Sequence, residues 1–128
     1  MSTFLIDRAA YVMLNDYAKS SYAPWVKITK AILIKEDEHA NFGQTFLNSQ
    51  TIKFGQPIIQ KALNKWWRIA LNSFGPPRSA HHDGYIYFGL KYRSNEERRE
   101  AFRKDITPRI SALGLDLPKL FRDRYPFV

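Results

Sequence analysis

Asp7, Glu36 and His39 are the residues whose types and spacing suit metal chemistry: two carboxylates and an imidazole, with the second pair arranged as Glu36-x-x-His39. Side chains three apart on a helix share a face, so Glu36 and His39 project together. The bare motif is weakly specific, because any helix can carry it as a solvated ion pair. Its setting adds weight. Both residues fall on the stripe of Trp25, Ile28, Ile32, Gly43 and Phe46, which is expected to be buried. A buried carboxylate must be protonated, paired or bound to a cation. Asp37 and Glu38 are expected to point away from that stripe.

Two helices have to position these groups. Residues 2 to about 22 read as helical, with Phe4, Asp7, Tyr11, Leu14 and Ala18 inward and Leu5, Ala9 and Met13 widening the apolar side. Ser20-Ser21-Tyr22-Ala23-Pro24 suits a turn followed by a new helix, which runs to about residue 48. In an antiparallel hairpin, residues equally far from the turn meet. The midpoint of 7 and 36 falls between Ser21 and Tyr22, so Asp7 and Glu36 should stand opposite each other roughly 20 Å up the hairpin. Two facing carboxylates repel. A metal ion removes the conflict and gives His39 a role as nitrogen ligand; a neutral or internally paired polar cluster is the alternative.

The rest of the chain is expected to be all-α. A third helix starts near Pro57, with Ile59, Leu63, Trp66 and Ala70 inside, and ends at Gly75-Pro76-Pro77. Residues 78–93 stay unassigned, because Tyr85-Ile86-Tyr87-Phe88 fits either a short strand or an irregular aromatic clamp. Ser94-Asn95-Glu96-Glu97 is a capping-box start for a last helix through Phe102, Ile106 and Ile110 to Gly114, kinked at Pro108. From Leu115 onward, past Pro118 and Pro126, an extended arm is expected.

With 128 residues, 45% of them hydrophobic, the chain suits one domain: a ligand-bearing hairpin over 1–50 and a helical remainder over 51–128. Without cysteine, any metal is held by nitrogen and oxygen. No leader-like start or membrane-length apolar run is present, so the expectation is a soluble cytoplasmic protein. The net charge of +8 leaves open a merely basic surface or a polyanionic partner. Lys91, Arg93, Arg98, Arg99, Arg103, Lys104 and Arg109 interleave with Glu96, Glu97, Glu100 and Asp105. They read first as a solvated helix face with intrahelical pairs, and second as a site for CoA phosphates or an acidic partner. Nucleic-acid binding ranks below both, since no recognition motif supports it. His81-His82-Asp83 reads as a solvated loop rather than a metal site. Tyr11, Ile32, Phe42 and Phe46 are expected to be core, or to line a dry pocket beside the metal.

Di-iron bundles take one carboxylate from each of two helices and a Glu-x-x-His pair from each of the other two. This sequence holds half that set, so a two-fold dimer, or a separate chain carrying the other half, must complete a four-helix bundle. Asp7-Arg8-Ala9, Ser20-Ser21-Tyr22-Ala23-Pro24-Trp25, Glu36-Asp37-Glu38-His39 with Phe42-Gly43, Ser94-Asn95-Glu96-Glu97-Arg98-Arg99 and Leu113-Gly114-Leu115-Asp116-Leu117-Pro118 together resemble the phenylacetic acid catabolic protein family. The similarity is to the C-terminal half of its ferritin-like catalytic subunits, the ring-epoxidising oxygenases of phenylacetyl-CoA. The resemblance implies Asp7, Glu36 and His39 as iron ligands and a di-iron centre that activates O2 for insertion into an aromatic ring held as a CoA thioester. It further implies a reductase and a non-catalytic sister subunit.

Overall fold

The computed structural model describes residues 1–76 and 80–119, and within them the chain is all-α. The helices are α1 (Ser2–Tyr17), α2 (Ala23–Phe54), α3 (Gln56–Asn72), α4 (His82–Tyr87) and α5 (Asn95–Ala112). Pro24 lies in the first turn of α2, where its missing N–H costs nothing. Gly55, at φ 85°, is the one residue between α2 and α3, a backbone angle that a side chain would strain. Ser94 and Glu97 form the expected reciprocal capping box of α5, and the helix continues past Pro108. The stretch containing Tyr85, Ile86 and Tyr87, whose pattern fits strand or clamp, is the short helix α4.

α1 and α2 form the antiparallel hairpin. Tyr17 meets Trp25 edge-on near the turn, and the backbone of Phe4 abuts Gly43 at the far end. A Cβ added at Gly43 would come within 2.9 Å of the Phe4 nitrogen, so a glycine lets the two backbones approach there. The core lies on the opposite side of α1: Leu5, Ala9 and Val12 pack with Leu63 and Trp67 of α3 and with Phe102, Ile106 and Ile110 of α5. Trp67 is buried, whereas Trp66 is partly exposed, one position from the expected inward residue.

That placement corrects the expected burial of both hairpin helices. α1 is apolar on two faces, and the fully buried one carries Leu5, Arg8, Ala9, Val12 and Asp16; Asp7, Tyr11 and Leu14 are half-buried toward α2. On α2, only Thr29, Ala40, Gly43 and Leu47 are buried. Trp25, Ile28, Ile32, Phe42 and Phe46 are exposed, so Ile32 and the two phenylalanines neither join the core nor line a dry pocket. The physical reason is that among the described residues no element packs on that side of α2. Leu115 is the last core residue among those described, and the backbone of Asp116 is held by Gln60, so the start of the expected arm is docked on α3. Pro126 and Pro77 lie outside the described residues. No helix among the described residues is long and apolar enough to cross a membrane.

Candidate metal centre

Asp7 from α1 and Glu36 and His39 from α2 come together, each offering a ligand atom within 4.8 Å of the other two. Among the described residues this is the cluster of three His, Asp and Glu side chains able to hold an ion. The antiparallel register supplies the meeting: with the turn at residues 18–22, the helix rise carries Asp7 and Glu36 to one level. Asp7 and Glu36 are half-buried, and His39 is exposed rather than buried as expected. All three face the uncovered side of α2, alongside the exposed Ile32 and Phe42.

Burial pushes the Asp7 carboxyl above the usual aspartate range, partly offset by the nearby His39. A site that disfavours carboxylate charge in this way is relieved by a cation. Two carboxylates and one imidazole are the oxygen and nitrogen donors that suit iron. Donor atoms around one such ion stand about 3–4 Å apart, judging from metal–ligand lengths near 2 Å, so a 4.8 Å spread closes by modest side-chain rotation. The residues present therefore fit a metal.

Arg8 fixes how α1 presents Asp7. Its guanidinium is buried and donates to both carboxylate oxygens of Asp105 on α5, at 2.5 and 2.7 Å, and to Asp37 on α2 at 3.2 Å. Asp37 is thus a partner of Arg8, not a free solvated charge. A second buried arrangement centres on Asp16, whose oxygens accept from Arg93 Nε at 2.6 Å and Arg98 Nε at 2.7 Å. Arg98 and Arg99 are buried and therefore leave the expected solvated basic face; Arg99 donates to the carbonyls of Leu71 and Gly75 at the end of α3. Arg103 and Arg109 keep the intrahelical pairs expected of them, with Glu100 and Asp105. Sequence reasoning missed Arg8 and Asp16. The available signal was their place on the Leu5, Ala9, Val12 repeat, where a charged pair needs partners.

His81 and Asp83 are exposed at the start of α4, with the His81 ring 6.2 Å from that of Tyr85, and they join no metal-like cluster among the described residues.

Comparison with known proteins places the chain in a family. The chain is 28% identical over 122 residues to one subunit of the 1,2-phenylacetyl-CoA epoxidase of Escherichia coli (strain K12), covering 90% of this chain and 38% of that relative. It therefore spans well under half the length of the curated relative it matches. The family model described as phenylacetic acid catabolic protein matches residues 1–125. With that match over nearly its whole length, and an all-α fold consistent with part of a ferritin-like bundle, the chain belongs to the phenylacetic acid catabolic protein family.

Proposed function

We propose that this chain contributes half of a carboxylate-bridged di-iron site, with Asp7, Glu36 and His39 as ligands, in an oxygenase related to the phenylacetyl-CoA epoxidases. The observation that carries the reading is the convergence of these three side chains from two helices to within 4.8 Å. Family membership supports it, as does the epoxidase activity for which the 28% identical relative is named.

Each residue has a defined task. Asp7 and Glu36 supply negative charge from opposite helices, which a bound cation holds together against their mutual repulsion. His39, one turn along α2 from Glu36, supplies the nitrogen ligand. Arg8 and Asp105 hold α1 in the rotation that turns Asp7 toward α2. When bound, iron supplies O2 activation, with electrons from an external reductase. An aryl-CoA thioester is the substrate class that the relative's name suggests.

One Glu-x-x-His in the sequence supplies half the ligands of such a site. The ligand face sits among exposed apolar residues of α2, including Ile28, 60% exposed, and Phe42, 65% exposed. A face of this kind needs cover. A second copy of this chain, or a complementary half-chain, would cover it and complete the ligand set, and a non-catalytic sister subunit belongs to the same assembly.

The test is redox behaviour. Protein loaded with ferrous iron without oxygen and then exposed to air should develop a near-ultraviolet charge-transfer band at the iron. Loaded protein that stays unchanged in air supports the second reading, a structural or regulatory module that keeps the fold without turnover. The coverage of only 38% of the relative favours considering it.

A further inference from the structure

A cavity that none of the metal ligands lines lies at the turn end of the hairpin. It has a volume of about 490 Å³, within the range of small-molecule sites. Tyr17, Trp25, Phe74 and Tyr85 give it aromatic walls, and Lys91 and Arg98 bring charge to it. Its position is fixed by the hairpin turn, where Ser21 donates from its backbone N–H to Gly89 and from its hydroxyl to Phe88. Tyr17 is ten residues from Asp7, so the cavity stands about 15 Å along α1 from the metal ligands.

The polar groups there are not balanced. Arg93, Arg98 and Lys91 are matched by Asp16, which is fully buried, and by Glu97, which is engaged in capping α5. Three cations against two carboxylates leave one positive charge over. The Arg98 side chain is 4% exposed, spends its Nε on Asp16, and leaves Nη2 buried with no hydrogen-bond partner. Its guanidinium also lies over the Tyr17 ring at 4.9 Å, so cation and aromatic wall are in contact. Lys91 donates to Asn95, and burial beside Arg98 holds its ammonium below the usual lysine range. One surplus cation and largely aromatic walls define the missing piece.

We infer that this cavity binds a small monoanionic carboxylic acid with a planar apolar body, its carboxylate on Lys91 and Arg98 and its body between Trp25 and Tyr85. The carboxylate accepts a charge-assisted hydrogen bond from Lys91 and is drawn by the positive charge of Arg98 beside it, and the body fills space that water occupies poorly. The inference is independent of the metal reading, since it uses none of the ligand residues.

Calorimetric titration of the full chain with benzoate, benzamide and acetate tests it. Benzamide keeps the shape without the charge, and acetate keeps the charge without the body. Benzoate should bind saturably and about tenfold or more tighter than either. Lys91→Met should weaken benzoate about tenfold at an unchanged melting temperature, Lys91→Arg should retain it, and Asp7→Ala should leave it unaltered. Absence of saturable benzoate binding, equal binding of benzamide or acetate, or an undiminished Lys91→Met would overturn the assignment.

Discussion

Arg8 grips both carboxylate oxygens of Asp105, at 2.5 and 2.7 Å, across the packing of α1 on α5, one residue along from Asp7. A bidentate pair of this kind sets direction as well as energy. It stops α1 from rotating about its axis and so holds Asp7 toward α2. Asp105→Ala leaves the buried Arg8 guanidinium with Asp37 as its remaining carboxylate partner. Because Asp105 keeps 29% of its side chain in solvent, the expected loss is about 2–3 kcal/mol, below that of a fully buried pair. Urea unfolding reads the loss, and metal retention should fall with it.

Asp16 is fully buried and serves Arg93 and Arg98 together. Asp16→Ala strands two cations and should cost about 3–5 kcal/mol, a large part of the stability of a domain of this size. Ser94→Ala, which removes only the α5 cap, should cost about 0.5–2 kcal/mol. Thermal melts of the two variants side by side check the ranking. A milder effect for Asp16→Ala than for Ser94→Ala would contradict the role given to Asp16.

Gly43→Ala separates two opposed effects. Helix propensity alone favours alanine by about 1 kcal/mol. The new Cβ, however, would meet the Phe4 backbone at 2.9 Å, and a backbone atom does not step aside as a side-chain tip does. Overpacking of this kind costs about 1–3 kcal/mol, so the variant should melt lower than the wild type. A higher melting temperature would show that the hairpin crossing has slack.

The Asp7 carboxyl titrates above its ordinary value because burial penalises its charge. A raised folded-state value favours the protonated form, so its contribution to stability is present at low pH and lost as pH rises through the shifted value. In metal-free protein, the wild type should therefore lose stability relative to Asp7→Asn as pH climbs from acidic toward neutral. Denaturant midpoints across that window give the sign. Added iron should reverse the order near neutral pH, because only the wild type offers the charged ligand.

The site is more legible in the sequence than the core. Asp7 and Glu36 pair by counting outward from the Ser20-Ser21 turn, and helix rise makes that count reliable whatever surrounds the hairpin. The Ser94 capping box is equally local. Burial is not. The α2 stripe of Trp25, Ile28, Ile32 and Phe46 has a buried helix's pattern, but pattern shows only that a face is apolar, not that this chain covers it. Arg98 and Arg99 look like a solvated face because they sit among glutamates; their burial depends on Asp16 and on the end of α3, both distant in sequence. The tyrosine-rich segment forms a short helix because its exposed aromatics give no alternation for a strand to use.

Bound iron per chain, measured after loading and gel filtration for the wild type beside Asp7→Ala and His39→Ala, decides whether these side chains are ligands. The wild type should carry about one iron per chain and elute as an assembled species, with a marked loss of iron in both variants. Equal iron in all three proteins, or full loading of a monomer, would contradict it.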